Sequence, residues 1–151
     1  MNELKDRLRT DLNSAMRARD QVRLRTLRMA LAAITNEEVP GNAPPRELSD
    51  DEVLKVLTRE AKKRREAAEA FEGAGRADQA AAERAEGEVL AGYLPEQLSD
   101  DELAGLVASA IAETGAAGMP GMGKVMKAVT PQVAGRADGS RVAAEVRRQL
   151  S

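Results

Sequence analysis

The side chains whose types and spacing could do chemistry are cationic. Lys124, Lys127 and Arg136 sit around Gly123 in the stretch Met122-Gly123-Lys124-Val125-Met126-Lys127 and, beyond Pro131, in Gly135-Arg136-Ala137-Asp138-Gly139-Ser140. The chemistry open to them is the holding of an anion rather than the making of bonds. Gly123 offers a helix start without a side chain, where backbone N–H groups can cradle an anion, and the three basic side chains supply charge. On this reading a branched side chain at Gly123 intrudes where the backbone must come close. On a plainer reading of the same residues, Met122, Val125, Met126 and Val129 pack inward, Gly123 and Gly135 serve only backbone geometry, and the lysines are solvated.

Bond-making chemistry has little to work with. The 151 residues contain neither cysteine nor histidine. That removes a disulfide framework, a thiolate nucleophile, the commonest general base and the commonest metal ligand together. Every serine reads as a helix cap or a surface residue, so no catalytic residue, metal site or cofactor is expected. The formal charge is -2, so nucleic acid cannot be attracted by bulk charge and any such role needs a local patch. From Leu98 onward, Lys124, Lys127, Arg136, Arg141, Arg147 and Arg148 balance Asp100, Asp101, Glu102, Glu113, Asp138 and Glu145 in number, which leaves placement to decide binding.

The elements that must position these residues are helical. Hydrophobic residues make up 42% of the chain and aromatics 1% (Phe71 and Tyr93), a composition suited to closely packed alanine- and leucine-rich helices. Leu4, Leu8, Leu12 and Met16 recur every four residues and predict one helix from about Asn2, its possible cap, to Ala18. Asp20 is the next cap, and Leu24, Leu27, Leu31 and Ile34 carry a second helix to about Glu38. Lys5, Arg7, Arg9, Arg17, Arg19, Arg23, Arg25 and Arg28 make this segment locally basic, read as a solvated face. Val39 to Leu48, with Pro40, Gly41, Pro44 and Pro45, is a loop. Ser49 and Glu52 form a capping box for a long helix with Leu54, Leu57, Ala61, Ala68 and Phe71 inward, ended by Gly73 and Gly75. Its Lys62-Lys63-Arg64-Arg65 run reads as a solvated face paired in part with Glu60, Glu66 and Glu69.

A helix opening at Arg76-Ala77-Asp78 places Ala82, Ala85, Val89, Leu90 and Tyr93 on its apolar side and stops before Pro95. Leu98 to Glu102 repeats Leu48 to Glu52 residue for residue, but the chain diverges at once after the two copies, so the likeness is that of two separate capping boxes. Leu103, Leu106, Val107 and Ile111 predict a helix to about Thr114. After a Gly-Pro loop, Pro131 should kink or end the next run, and Asp138 or Ser140 should cap the last helix. The expected architecture is all-α: an elongated N-terminal bundle of about four helices over 1–95 and a compact three-helix C-terminal domain over 96–151. No apolar run approaches the roughly 20 residues that span a bilayer, and Met1 to Arg9 is too charged for a signal peptide, so a cytoplasmic location is expected.

The combination Met122-Gly123-Lys124-Val125-Met126, Pro131, Gly135-Arg136-Ala137-Asp138-Gly139 and a following apolar helix resembles the GatB/YqeY family, specifically the stand-alone YqeY-like proteins of bacteria. Thr26-Leu27-Arg28-Met29 and Tyr93-Leu94-Pro95-Glu96-Gln97-Leu98 extend the resemblance over essentially the whole chain. It departs at Gly121, where the family often carries an acidic residue, which leaves Pro120 to set the helix start. The resemblance is to the C-terminal tail of the B subunit of the tRNA-dependent amidotransferase, a tail that helps hold tRNA. It implies a non-catalytic tRNA-binding accessory protein docking through phosphates and shape. It also keeps open an amidotransferase-associated component, although the kinase and ammonia-transfer parts of the B subunit lie outside the shared tail and have no counterpart here. A third possibility, from the basic N-terminal helices, is a protein-interaction module meeting an acidic partner.

Overall fold

The computed structural model describes residues 3–151, so the expected cap at Asn2 lies outside the described residues. Every regular element among them is helical, and the chain gathers into two compact units, Met1–Leu94 and Pro95–Ser151.

In the first unit α1 (Glu3–Ala18) turns directly into α2 (Gln21–Glu38). The corner is a Schellman turn: the N–H of Arg19 donates to the Met16 carbonyl at 3.2 Å and that of Asp20 to the Ala15 carbonyl at 3.0 Å. Asp20 then caps α2 by accepting from the Arg23 N–H at 3.2 Å. The proline segment follows and α3 (Asp50–Gly73) begins at Ser49, where both arms of the capping box are formed. Gly75 takes φ +76° in the turn to α4 (Ala77–Ala91), which packs back along α3. Leu8, Leu27, Ile34, Leu57 and Leu90 are fully buried between these helices.

Periodicity finds most of the inner face of α1, with Leu8 buried and Leu4 and Leu12 packed against the same core, but not all of it. Met16, expected on the buried stripe of α1, is 49% exposed, while Lys5 is buried. The Lys5 ammonium lies 2.6 Å from the Glu38 carboxylate, whose other oxygen accepts the Leu48 N–H at 3.0 Å, so one ion pair ties α1, α2 and the end of the proline segment together. On α4, Ala82 is exposed, whereas Ala80 and Glu86 are buried. The expected Val89 and Leu90 do pack into the core, but toward the start of α4 alanines lie on every side and give no stripe, and there charge takes part. Glu86 accepts from Arg25 at 2.7 Å and meets Arg64 at 3.4 Å. Arg64 accordingly turns inward, out of the expected solvated run, while Lys62 and Lys63 pair with Glu66 and Glu60 along the helix.

In the second unit α5 (Asp100–Thr114) starts at a second complete capping box, Ser99 with Glu102, and closes at Gly115 with φ +67°. A short 3-10 turn, Met119–Gly121, runs straight into α6 (Met122–Val129), and α7 (Gly139–Leu150) starts at Asp138, whose carboxylate accepts the Arg141 N–H at 2.9 Å. Pro131 lies just past the end of α6, which it terminates rather than kinks. Val107, Val125, Val129, Val142 and Val146 form the centre of this core.

Candidate anion-binding face

The apolar side of α6 is fixed by Val125 and Val129, both fully buried, with Met122 and Met126 half-buried beside them. That rotation leaves Gly123, Lys124 and Lys127 exposed, with the two lysines one helical turn apart. Neither ammonium has an ion pair or hydrogen bond with a described residue.

Arg136 is placed differently. Its Nε donates to the Glu96 carbonyl at 3.1 Å, its guanidinium lies 3.9 Å from the Glu102 carboxylate, and its own carbonyl accepts the Leu98 N–H at 2.8 Å. Gly135, with φ +74°, presents its carbonyl to the Gln97 side chain at 2.8 Å. The Gly135-Arg136 pair is thus the strap that holds residues 96–98 at the head of α5. Hydrogen bonds from the Ser99 backbone and hydroxyl hold the Glu102 carboxyl below the usual carboxylate range, with Arg136 adding to the effect.

The remaining cations of this unit divide the same way. Arg141 donates to the Leu98 carbonyl at 2.6 Å and to Asp100 at 2.9 Å. Arg148 forks onto Glu145 at 2.6 and 3.0 Å and holds that carboxyl down to about 2, helped by Gln149. An open groove of about 480 Å³ between α5 and α7 is lined by Arg141, Arg148, Asp100, Asp101 and Glu145, and its arginines are neutralised by its own carboxylates. The guanidinium of Arg147, exposed in the last turn of α7, has no ion pair or hydrogen bond with a described residue and joins Lys124 and Lys127 as a cation left to solvent. The sequence carried a signal for it, since a residue directly after Val146 in a Val142, Val146, Leu150 stripe faces outward.

Two expectations at the helix start need correction. The Gly121 N–H donates to the Gly118 carbonyl at 3.1 Å and the Met122 N–H to Met119 across the 3-10 turn, so a cradle here is confined to the amides from Gly123 onward. The chain does not crowd Gly123: a β-carbon there would meet no atom within 4 Å. The glycine that packing requires is Gly121, where a β-carbon would lie 2.7 Å from that of Ala116. An acidic side chain at that position would collide with the loop leaving α5, which accounts for the glycine found there.

The chain matches the YqeY-like protein family over residues 5–150 and belongs to that family. No curated protein matches it. No described helix is long and apolar enough to cross a membrane.

Proposed function

We propose that this YqeY-like protein is a non-catalytic, tRNA-binding accessory protein whose second unit touches RNA phosphates through Lys124 and Lys127. The observation that carries the reading is the pairing pattern: Arg136, Arg141 and Arg148 are engaged within the unit, whereas the two lysines share one exposed face of α6 with no carboxylate against them. Unneutralised ammonium groups on a rigid helix suit a ligand of repeating negative charge, and a duplex RNA backbone is recognised by phosphate contact and shape. Arg136 supports the face by anchoring residues 96–98, and Gly123 leaves the approach to Lys124 and Lys127 unobstructed. Stacking on splayed bases has no platform here, since Phe71 and Tyr93 are the only aromatic residues and both belong to the first unit. The lack of cysteine and histidine argues for binding without amide transfer, so an amidotransferase link would be one of association. Titrating the full chain against purified mixed tRNA tests the reading: saturable binding that weakens as salt rises supports it, and no binding at low salt refutes it.

A further inference from the structure

We propose that the α1–α2 corner of the first unit is a docking site for an acidic protein segment that also carries apolar side chains. The proposal is independent of tRNA binding by α6. Its first support is backbone conformation. Arg19 has φ +56° and is the single non-glycine residue with positive φ among the described residues. It occupies the left-handed position of a Schellman turn, where glycine is preferred because a β-carbon crowds the following carbonyl. Conformational cost retained at one residue points to a use for its side chain.

The second support is charge. Arg17 and Arg19 are exposed, and neither guanidinium has an ion pair or hydrogen bond with a described residue. Elsewhere in the same unit, Arg25, Arg46, Arg59, Arg64 and Arg84 are each held by a carboxylate. The nearest acid in sequence, Asp20, is occupied as the cap of α2 and is turned to the Arg23 N–H. The corner therefore carries two guanidinium groups with no carboxylate of a described residue paired to either.

The third support distinguishes a protein partner from nucleic acid. Among the described residues, Met16, Val39 and Met119 are the large apolar side chains left exposed, at 49%, 55% and 45%. Of these, only Met16 has an arginine within three residues, and it has two. Phosphates gain nothing from a thioether, whereas methionine and arginine together are enriched in protein interfaces, where a flexible apolar side chain adapts to the partner and the guanidinium takes its carboxylates.

The test places the photo-crosslinking residue p-benzoylphenylalanine at exposed Ala18, between the two arginines, in the full chain. The protein is irradiated in cells, and the crosslinked peptide is sequenced by mass spectrometry. The expected product is one partner peptide rich in Asp and Glu with interspersed Leu, Met or Phe, and its yield is insensitive to ribonuclease. Arg19→Gly relieves the left-handed strain, so it raises the thermal midpoint. Combined with Arg17→Ala it lowers the crosslink yield by about tenfold, the scale of losing arginine anchors. Crosslinking to RNA, to a non-acidic segment or to nothing overturns the proposal. So does an unchanged yield in the folded Arg17→Ala/Arg19→Gly variant.

Discussion

Arg136 donates its Nε hydrogen to the carbonyl of Glu96 at 3.1 Å, forty residues away in sequence, while returning its own carbonyl to the Leu98 N–H. A residue whose type suggests a phosphate ligand is thereby committed to holding the chain at the head of α5. Arg136→Ala should lower the stability of the second unit by about 1 kcal/mol, the net worth of such a hydrogen bond. Chemical denaturation followed by circular dichroism measures it. A loss below about 0.3 kcal/mol would show that the strap contributes nothing.

The two glycines around the start of α6 should respond in opposite directions. Gly123→Ala meets open space and replaces the poorer helix former, so stability should rise by about 0.5 kcal/mol. Gly121→Ala drives a β-carbon toward Ala116 and should cost about 1 to 3 kcal/mol. Equal effects at the two positions would contradict the packing described for this corner.

Inside the first unit, Glu38→Gln leaves the Lys5 ammonium buried without its counter-charge and should destabilise by about 3 kcal/mol. The double change Lys5→Met with Glu38→Gln should recover part of that loss, because no unpaired charge then remains inside. Thermal unfolding of the single and double variants provides the comparison, and a double variant less stable than the single one would argue against the pair as described.

Two carboxyls, Glu52 at the start of α3 and Glu145 within α7, make stability acid-sensitive. Arg46 and the Ser49 backbone hold the Glu52 carboxyl down to about 2, and Arg148 does the same for Glu145, against an ordinary value of 4.5. Carboxyls depressed in the folded chain add stability above their unfolded value, and that stability is lost as pH falls toward the folded value. The thermal midpoint should therefore drop between about pH 4.5 and pH 2, and Glu52→Gln should flatten part of that drop. A midpoint unchanged across this range would exclude the linkage.

Much of the helical layout was legible because its determinants are local. The caps Asp20, Ser49, Ser99 and Asp138 act on amides three residues away, so residue type and spacing suffice to locate α2, α3, α5 and α7. The apolar faces of α1 and α4 were legible in Leu8 and Leu90, which are buried as their spacing predicts, whereas the burial of charge beside them was not. That burial depends on Lys5 meeting Glu38 and on Glu86 meeting Arg25 and Arg64, pairings across 22 to 61 residues that no periodicity encodes. At the candidate site, exposure of Lys124 and Lys127 could be read from their places beside Val125 and Val129. The engagement of Arg136 with Glu96, and the crowding of Gly121 by Ala116, required the folded chain.

The central claim is that Lys124 and Lys127 contact RNA phosphates, and the slope of log affinity against log salt for tRNA tests it most directly. Lys124→Ala with Lys127→Ala should weaken binding and reduce the slope by about 0.7 to 0.9 for each phosphate no longer neutralised. Stability should stay within about 0.5 kcal/mol, since both side chains are exposed and unpaired. A double variant that folds normally and keeps wild-type affinity and salt slope would contradict the account.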